Sequence, residues 1–392
     1  MADLGRLLSP NEAKFWLLDS VAPMNSIVVI ECAEDRPPPA LPREFRLPVV
    51  RLGKQGRPRW WESDAPGVLA YEEVAGDMAW LDAAERLQQV RVGQEGQPPW
   101  HAVVQRHDAA MTLVLAVNHA LSDWRSALHI ASCLLADKDP GALLPACEEM
   151  LPATLFADPE AEALIDAWWS SRAGARWEAL GLSALTAHLP PPAATRFAVQ
   201  RLDAATTERL RERLASEGVS LNNALAVALR DVMMGREVMQ LDAVAHAVDM
   251  QRFIRPPPAP GPGLAVAHVF TPLGDGEFWE AARDNRGALF EAVRGGAAGD
   301  ALLALPRALL GGDAPRYEAA AMTITGAPTV GGREGEDIAY PMQLVLSSAR
   351  GGGGILILSH HRDCLQLVAG TPDGQRAVPL PAIIARLIEA IA

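Results

Sequence analysis

Two mixed α/β sandwich lobes with a cleft between them are the fold this sequence predicts. Three observations predict it. A chain of 392 residues is too long for one small core and suits two domains of ordinary size. A hydrophobic content of 49% is enough to fill both. Strand-like and helix-like stretches also alternate on both sides of a proline-rich spacer, residues 188–195, which reads as a stiff linker. The expected lobes are therefore 1–187 and 196–392.

The elements follow in order. Ser9 can cap a first helix, Pro10 fits its first position and Glu12 can reach back to the cap. Phe15, Trp16 and Leu18 give that helix an apolar face. Met24 to Cys32 reads as a strand. The run Glu34 to Pro42 holds four prolines and cannot form a helix. Val49–Leu52 and Arg57–Glu62 read as a hairpin around Gly53 to Gly56. A strand to Gln105 and a second from Met111 to Val117 come next. Trp124 to Leu135 reads as a helix. Asp158 can cap another from Pro159 to about Trp177, with Trp168 and Trp169 as packing residues.

The second half opens with a strand at Arg196–Arg201. Asp203 caps a helix that stops at Gly218, a natural left-handed terminator. Ser220 caps the next, through Met234. Strands at Val238–Val248 and Leu264–Thr271 flank a Pro/Gly loop, 255–263. Helices at Glu277–Val293 and Asp300–Leu310 follow. Strands at Ala320–Thr325, Gln343–Ser348, Gly354–His360 and Gln366–Ala369 close a sheet, and Pro381–Ala392 is a final helix.

Composition narrows the function. A net charge of −13 argues against a nucleic-acid surface. No run of about 18 uncharged apolar residues is present, so no membrane span is expected. The N-terminus lacks a secretory signal pattern, which leaves the cytoplasm as the expected compartment. The four cysteines have no metal-type spacing, so no metal site is expected; Cys133 and Cys364 read as buried thiols. The Gly runs 351–354 and 331–332 lack a following Lys-Ser/Thr and read as turns. His360-His361-Arg362-Asp363 reads as a polar hairpin turn, and His129 and His268 as structural.

The most informative stretch is Asn118-His119-Ala120-Leu121-Ser122-Asp123-Trp124. It places a histidine at a strand end with an aspartate four residues on. A neutral imidazole there can take a proton from a hydroxyl or amine. The spacing alone is common by chance, and a lone histidine at a strand end is more often structural.

The flanking residues add weight. Residues 117–124 resemble the His-His-x-x-x-Asp-Gly signature of the chloramphenicol-acetyltransferase-like superfamily, which includes peptide-synthetase condensation domains. Residues 8–19, 219–229 and 248–253 resemble, in order, segments of its polyketide-associated acyltransferases, the phthiocerol dimycocerosyl transferase-like branch. The resemblance implies two chloramphenicol-acetyltransferase-like lobes with an active-site tunnel between them.

It also implies a chemistry. His119 falls on the catalytic position, where it would deprotonate an alcohol or amine acceptor. That nucleophile would attack an acyl thioester carried on coenzyme A or on a phosphopantetheinyl carrier protein. No bound cofactor is implied. The donor is anionic, so Arg172, Arg176, Arg252 and Arg255 are candidates for a positive entrance. Asp123 falls on the structural Asp of the motif, which pairs with an Arg of the second lobe. Aligned without a gap that partner is Gln251; with a one-residue insertion it is Arg252, the preferred choice. Thr323 or Thr325 lies where relatives offer a polar group to the oxyanion.

Two positions depart from the signature. Asn118 replaces the first His, which is usually not the base. Trp124 replaces the Gly, and its indole would line or fill the tunnel. The long helix that relatives carry after the first strand is also missing or cut to a turn, which would leave a wall open or covered by a second copy in a homodimer. Acyl transfer in natural-product or lipid biosynthesis is thus the leading expectation. A non-catalytic relative that binds an acyl chain or carrier protein is the alternative, and a pocket turned to another reaction is the third.

Overall fold

The computed structural model describes residues 3–33, 45–53, 56–76, 78–107, 110–170, 193–234, 243–309, 322–325, 342–347, 354–374 and 377–392. The expected loss of a helix after the first strand, the linker residues 188–192, and Arg172 and Arg176 fall outside them.

A short strand β1 (Asp3–Leu7) leads into helix α1 (Pro10–Val21). The capping box forms as the sequence predicts: the Glu12 amide donates to Ser9 Oγ and the Glu12 carboxylate accepts from the Ser9 amide. Every residue from Pro10 to Asp19 is buried, so α1 is an internal helix. Its polar side chains must then find partners inside the protein. Glu12 accepts from Arg6 and from Trp60 Nε1, Asp19 accepts from the Met24 amide, and Asn11 Nδ2 donates to the Val266 carbonyl at 2.9 Å.

The first half continues with β2 (Asn25–Ala33), β3 (Pro48–Leu52), β4 (Pro58–Glu62), β5 (Val68–Glu73), α2 (Trp80–Leu87), β6 (Trp100–His107) and β7 (Ala110–Asn118). Then come α3 (Trp124–Leu135), α4 (Cys147–Met150) and α5 (Ala161–Ser170). β7 is a central strand, antiparallel to β2 on one side and β6 on the other. Both of its faces are buried, which explains its unbroken apolar run. Leu113, Leu115 and Val117 pack with α1 and α3; Val114 and Ala116 pack with α2.

The second half holds β8 (Thr195–Arg201), α6 (Ala204–Glu217), α7 (Leu221–Met234), β9 (Ala243–Asp249), β10 (Val266–Pro272) and α8 (Phe278–Arg294). It ends with α9 (Ala297–Leu302), α10 (Ala304–Leu309), β11 (Met322–Thr325), β12 (Met342–Leu346), β13 (Ile355–His361), β14 (Cys364–Pro372) and α11 (Leu380–Ile391). One expected helix is two: α9 and α10 break at Leu303, because Pro306 cannot continue a helix whose carbonyl at Leu302 it would meet.

Strand pairing gives the two-lobe form. β14 occupies one edge of β13. Along the other edge, β13 pairs with β11 through Ile355–Ile357 and then with β12 through His360 and His361. The sheet forks there. One branch runs β11–β9–β10; the other runs β12–β2–β7–β6–β5. β12 comes from the second half of the chain but pairs with β2 of the first.

The hairpin turn at Arg362 and Asp363 is polar as expected, with Arg362 at φ 56°. Glu31 of β2 anchors it, 3.1 Å from His361 Nε2, and that hydrogen bond holds the Glu31 carboxyl below its usual range. Cys133 is buried as expected, whereas Cys364 is partly exposed at this turn. No helix among the described residues is long and apolar enough to cross a membrane.

Candidate active site

His119 is the first residue beyond β7, where the strand meets α1, α3 and the start of β10. Its backbone amide donates to the Met24 carbonyl at 2.8 Å. Its ring stacks on Phe15 of α1, with centroids 4.2 Å apart. Nδ1 lies 2.8 Å from the Ser122 carbonyl. A carbonyl can only accept, so Nδ1 carries the proton and Nε2 keeps its lone pair. The ring is recessed but partly exposed. Burial pushes its pKa down to about 4, the Lys14 charge acts in the same direction, and the bond to Ser122 opposes them. His119 is therefore a neutral acceptor at physiological pH, with its tautomer fixed by its own loop.

That loop is held at every residue. Asn118 is fully buried; its Nδ2 donates to the Val92 carbonyl at 3.1 Å and its Oδ1 accepts from the Ala120 amide at 2.9 Å. The Asn118 carbonyl accepts from Leu121 N and Ser122 Oγ. Ser26 Oγ donates to the Ser122 carbonyl at 3.2 Å. Asn118 thus builds the loop that carries His119.

Asp123 ties the loop to the second half. Its Oδ1 accepts from the Ser126 amide at 2.9 Å, capping α3. Its Oδ2 accepts from the Ala265 amide at 3.0 Å and from Gln251 Nε2 at 3.1 Å. The Asp123 amide donates to the Gly263 carbonyl at 3.2 Å. Burial pushes the Asp123 carboxyl up to about 6.

The partner of Asp123 is thus Gln251, and the expectation of Arg252 is corrected. The ungapped alignment holds because Asp249 ends β9 and caps a single 3-10 turn, Met250–Phe253, which aims Gln251 inward and Arg252 outward. Arg252 is 67% exposed and its Nε faces Asp249 at 3.2 Å.

Trp124 begins α3, partly exposed, with the Arg125 guanidinium 4.6 Å from the indole ring centre. Thr323 and Thr325 flank Ile324 on β11, the first strand of one branch of the forked sheet. Thr323 takes no part in the hydrogen bonds that hold the His119 loop. The Thr325 side chain lies outside what is described. Arg255 is exposed and donates to the Arg252 and Ile254 carbonyls. Arg125 and Arg252 thus share the carboxylate of Asp249, and Arg255 is joined to Arg252 through the Arg252 carbonyl.

Three contributors were not singled out in the sequence for this site: Lys14 and Phe15 of α1, and His268 of β10. Lys14 is buried, its Nζ 4.8 Å from the Phe15 ring centre. Burial pushes His268 down to about 3, and the nearby Lys14 and His119 add to the shift. The only signal in the sequence is a lysine directly before Phe15 and Trp16 in the first helix. Among the described residues, no group of three or more His, Cys, Asp or Glu side chains is arranged to hold a metal ion.

Known structures share the fold across almost the whole chain. The first condensation domain of the calcium-dependent antibiotic synthetase, solved with a substrate analogue, superimposes with a TM-score of 0.63 at 14% identity, covering 100% of this chain and 96% of that one. The fold is that of the condensation domains. Polyketide synthase associated protein 5 from Mycobacterium tuberculosis matches with a TM-score of 0.59 at 16% identity, covering 99% and 97%. The cyclization-docking bidomain of the EpoB nonribosomal peptide synthetase from Sorangium cellulosum matches at 0.59 and 15%, covering 98% and 82%. No protein-family model matches the sequence, and no curated protein is a significant match. The condensation-domain fold agrees with the two-lobed architecture expected from the sequence.

Proposed function

We propose that the chain is a condensation-type acyltransferase. It moves an acyl group from a thioester, on coenzyme A or a carrier protein, to an alcohol or amine, as in natural-product or lipid biosynthesis. The observation that carries this reading is the His119 ring, which is neutral, fixed in tautomer by the Ser122 carbonyl and left with an Nε2 lone pair that no described residue engages. Nε2 takes the proton of the acceptor X–H, X bonds to the thioester carbonyl carbon, and the tetrahedral adduct expels thiolate. The thiolate recovers the proton from Nε2. No covalent enzyme intermediate is needed, and much of the rate comes from holding both substrates together.

Arg125, Arg252 and Arg255 support an anionic donor. Arg125 and Arg252 share Asp249 beside Trp124 and Arg255 is bonded to the Arg252 carbonyl, a local cationic group in a chain whose net charge is −13. Coenzyme A and the pantetheine arm of a carrier both present phosphate to such a surface. Trp124 favours a second reading, in which the indole narrows the cleft and the chain holds a thioester without turning it over.

The test incubates the protein with acyl thioesters on coenzyme A and on pantetheine-loaded carrier protein, with and without pooled alcohols and amines. Mass spectrometry follows the acyl group. Acceptor-dependent transfer is the expected result. Tight retention of one thioester without transfer establishes the binding reading instead.

A further inference from the structure

We propose that His268 is a second catalytic residue of this site, donating a hydrogen bond to the thioester carbonyl oxygen, with Lys14 as the positive charge behind it. The inference deepens the acyl-transfer reading and rests on it. Acyl transfer places negative charge on that oxygen when the tetrahedral adduct forms, and a group already positioned to receive the charge lowers the barrier.

Helix α1 and strand β10 bring the groups together. Asn11 Nδ2 bonds the Val266 carbonyl at 2.9 Å, which fixes α1 against the start of β10. Side chains alternate along a strand, so Val266 and His268 share a face while Ala267 and Val269 point the other way. Val266 lies in the core that contains Phe15, Leu18 and Leu121, and Ala267 and Val269 lie in a separate one. His268 therefore faces α1. One turn along α1 from Asn11 stand Lys14 and Phe15, and Phe15 carries the His119 ring. The Lys14 charge is felt at both imidazoles.

His268 also differs from the other buried histidine of the second half. His246 bonds Thr271 Oγ1 at 3.0 Å and is almost fully buried. His268 is partly exposed and makes no hydrogen bond to a described residue. A neutral imidazole has one N–H to give. In the adduct that N–H meets the oxygen that was the carbonyl, while His119 holds the acceptor's proton. On collapse the C–S bond breaks, the carbonyl reforms, the bond to His268 weakens and the thiolate takes the proton from His119. Burial holds His268 neutral, the Lys14 charge adds to that effect, and Lys14 also adds its field at the same oxygen.

The test pairs rates with a titration that needs no turnover. His268→Leu should lower kcat by about 10²–10³-fold with KM within a few-fold, the size seen for loss of one oxyanion donor. His268→Gln, whose amide can donate from a similar position, should recover part of that loss, with melting temperatures close to wild type. In histidine NMR, the His268 midpoint should lie well below the ordinary value of about 6.5 and rise in Lys14→Met. Full kcat in His268→Leu overturns the inference while acyl transfer stands. A His268 midpoint near 6.5 that ignores Lys14→Met shows that the cluster does not form, and overturns it too. A wild-type protein that transfers no acyl group removes the acyl-transfer reading and this inference with it.

Discussion

Pairing of Asp123 with Gln251 has a measurable signature. The single variant Asp123→Ala is a poor probe, because large terms oppose one another. It removes the cap of α3, worth about 1 kcal/mol. It strands the buried Ala265 amide, at about 1–3 kcal/mol. It also removes a carboxylate that burial holds near 6 instead of 3.8, a relief of about 3 kcal/mol at neutral pH. With loss of the Gln251 bond, about 1.5 kcal/mol, these amount to about 0.5–2.5 kcal/mol and do not isolate the pair. A double-mutant cycle isolates the pair. A hydrogen bond to a charged acceptor is worth about 1.5–3 kcal/mol, and the 3.1 Å contact is partly buried, so the Asp123/Gln251 coupling should be about 1.5 kcal/mol. Coupling to exposed Arg252, which faces Asp249, should stay below about 0.5 kcal/mol. Urea unfolding of the wild type, the single alanine variants and both doubles at pH 8 measures each value. A larger coupling to Arg252 than to Gln251 refutes the arrangement.

Three further outcomes are expected. Because burial lowers His119 to about 4, kcat/KM should stay level from pH 8 to about 5 and fall only toward 4; an inflection at the ordinary histidine value contradicts this. Glu148 of α4 is buried, accepts from the Asn11 amide at 2.9 Å, and is pushed up to about 7 from 4.5. Its stabilising contribution is complete below its unfolded value and is lost as pH rises through 7, so Glu148→Gln should flatten a fall of about 3 kcal/mol in urea-measured stability between pH 4.5 and 8. Gly93 sits at φ +75°, and a Cβ there would lie 2.8 Å from Asn118 Cβ. Gly93→Ala should cost at least about 1–2 kcal/mol in the same assay and slow the reaction by shifting the His119 loop; a neutral Gly93→Ala contradicts that packing.

Local signals made most of the fold legible in the sequence. Ser9 and Glu12 announce the α1 box, Gly218 marks the left-handed end of α6 at φ 65°, and the apolar run of β7 announces a strand buried on both faces. What escaped was weakly patterned or non-local. β5 is an exposed edge strand with little apolar contrast, and β1 spans only five residues. α2 was legible in principle: Trp80, Ala83, Ala84 and Leu87 repeat at helical spacing. At the site, one strand end and its loop carry His119 and Asp123 four residues apart, so the spacing together with its flanking residues reveals them. Lys14 and His268 are brought together only by α1 packing on β10, which no local pattern encodes. The resemblance points to Arg252 over Gln251 because relatives pair this aspartate with an Arg, but the single 3-10 turn after Asp249 decides which side chain points inward.

The central claim is that His119 is the proton acceptor for acyl transfer, and its most direct test is a single-turnover rate with the best thioester and acceptor from the panel. The rate is measured for wild type and His119→Ala, with thermal melting of both. The predicted result is a fall of about 10²–10⁴-fold with the melting temperature almost unchanged. A variant that transfers the acyl group at the wild-type rate, or one that loses activity only by unfolding, contradicts it.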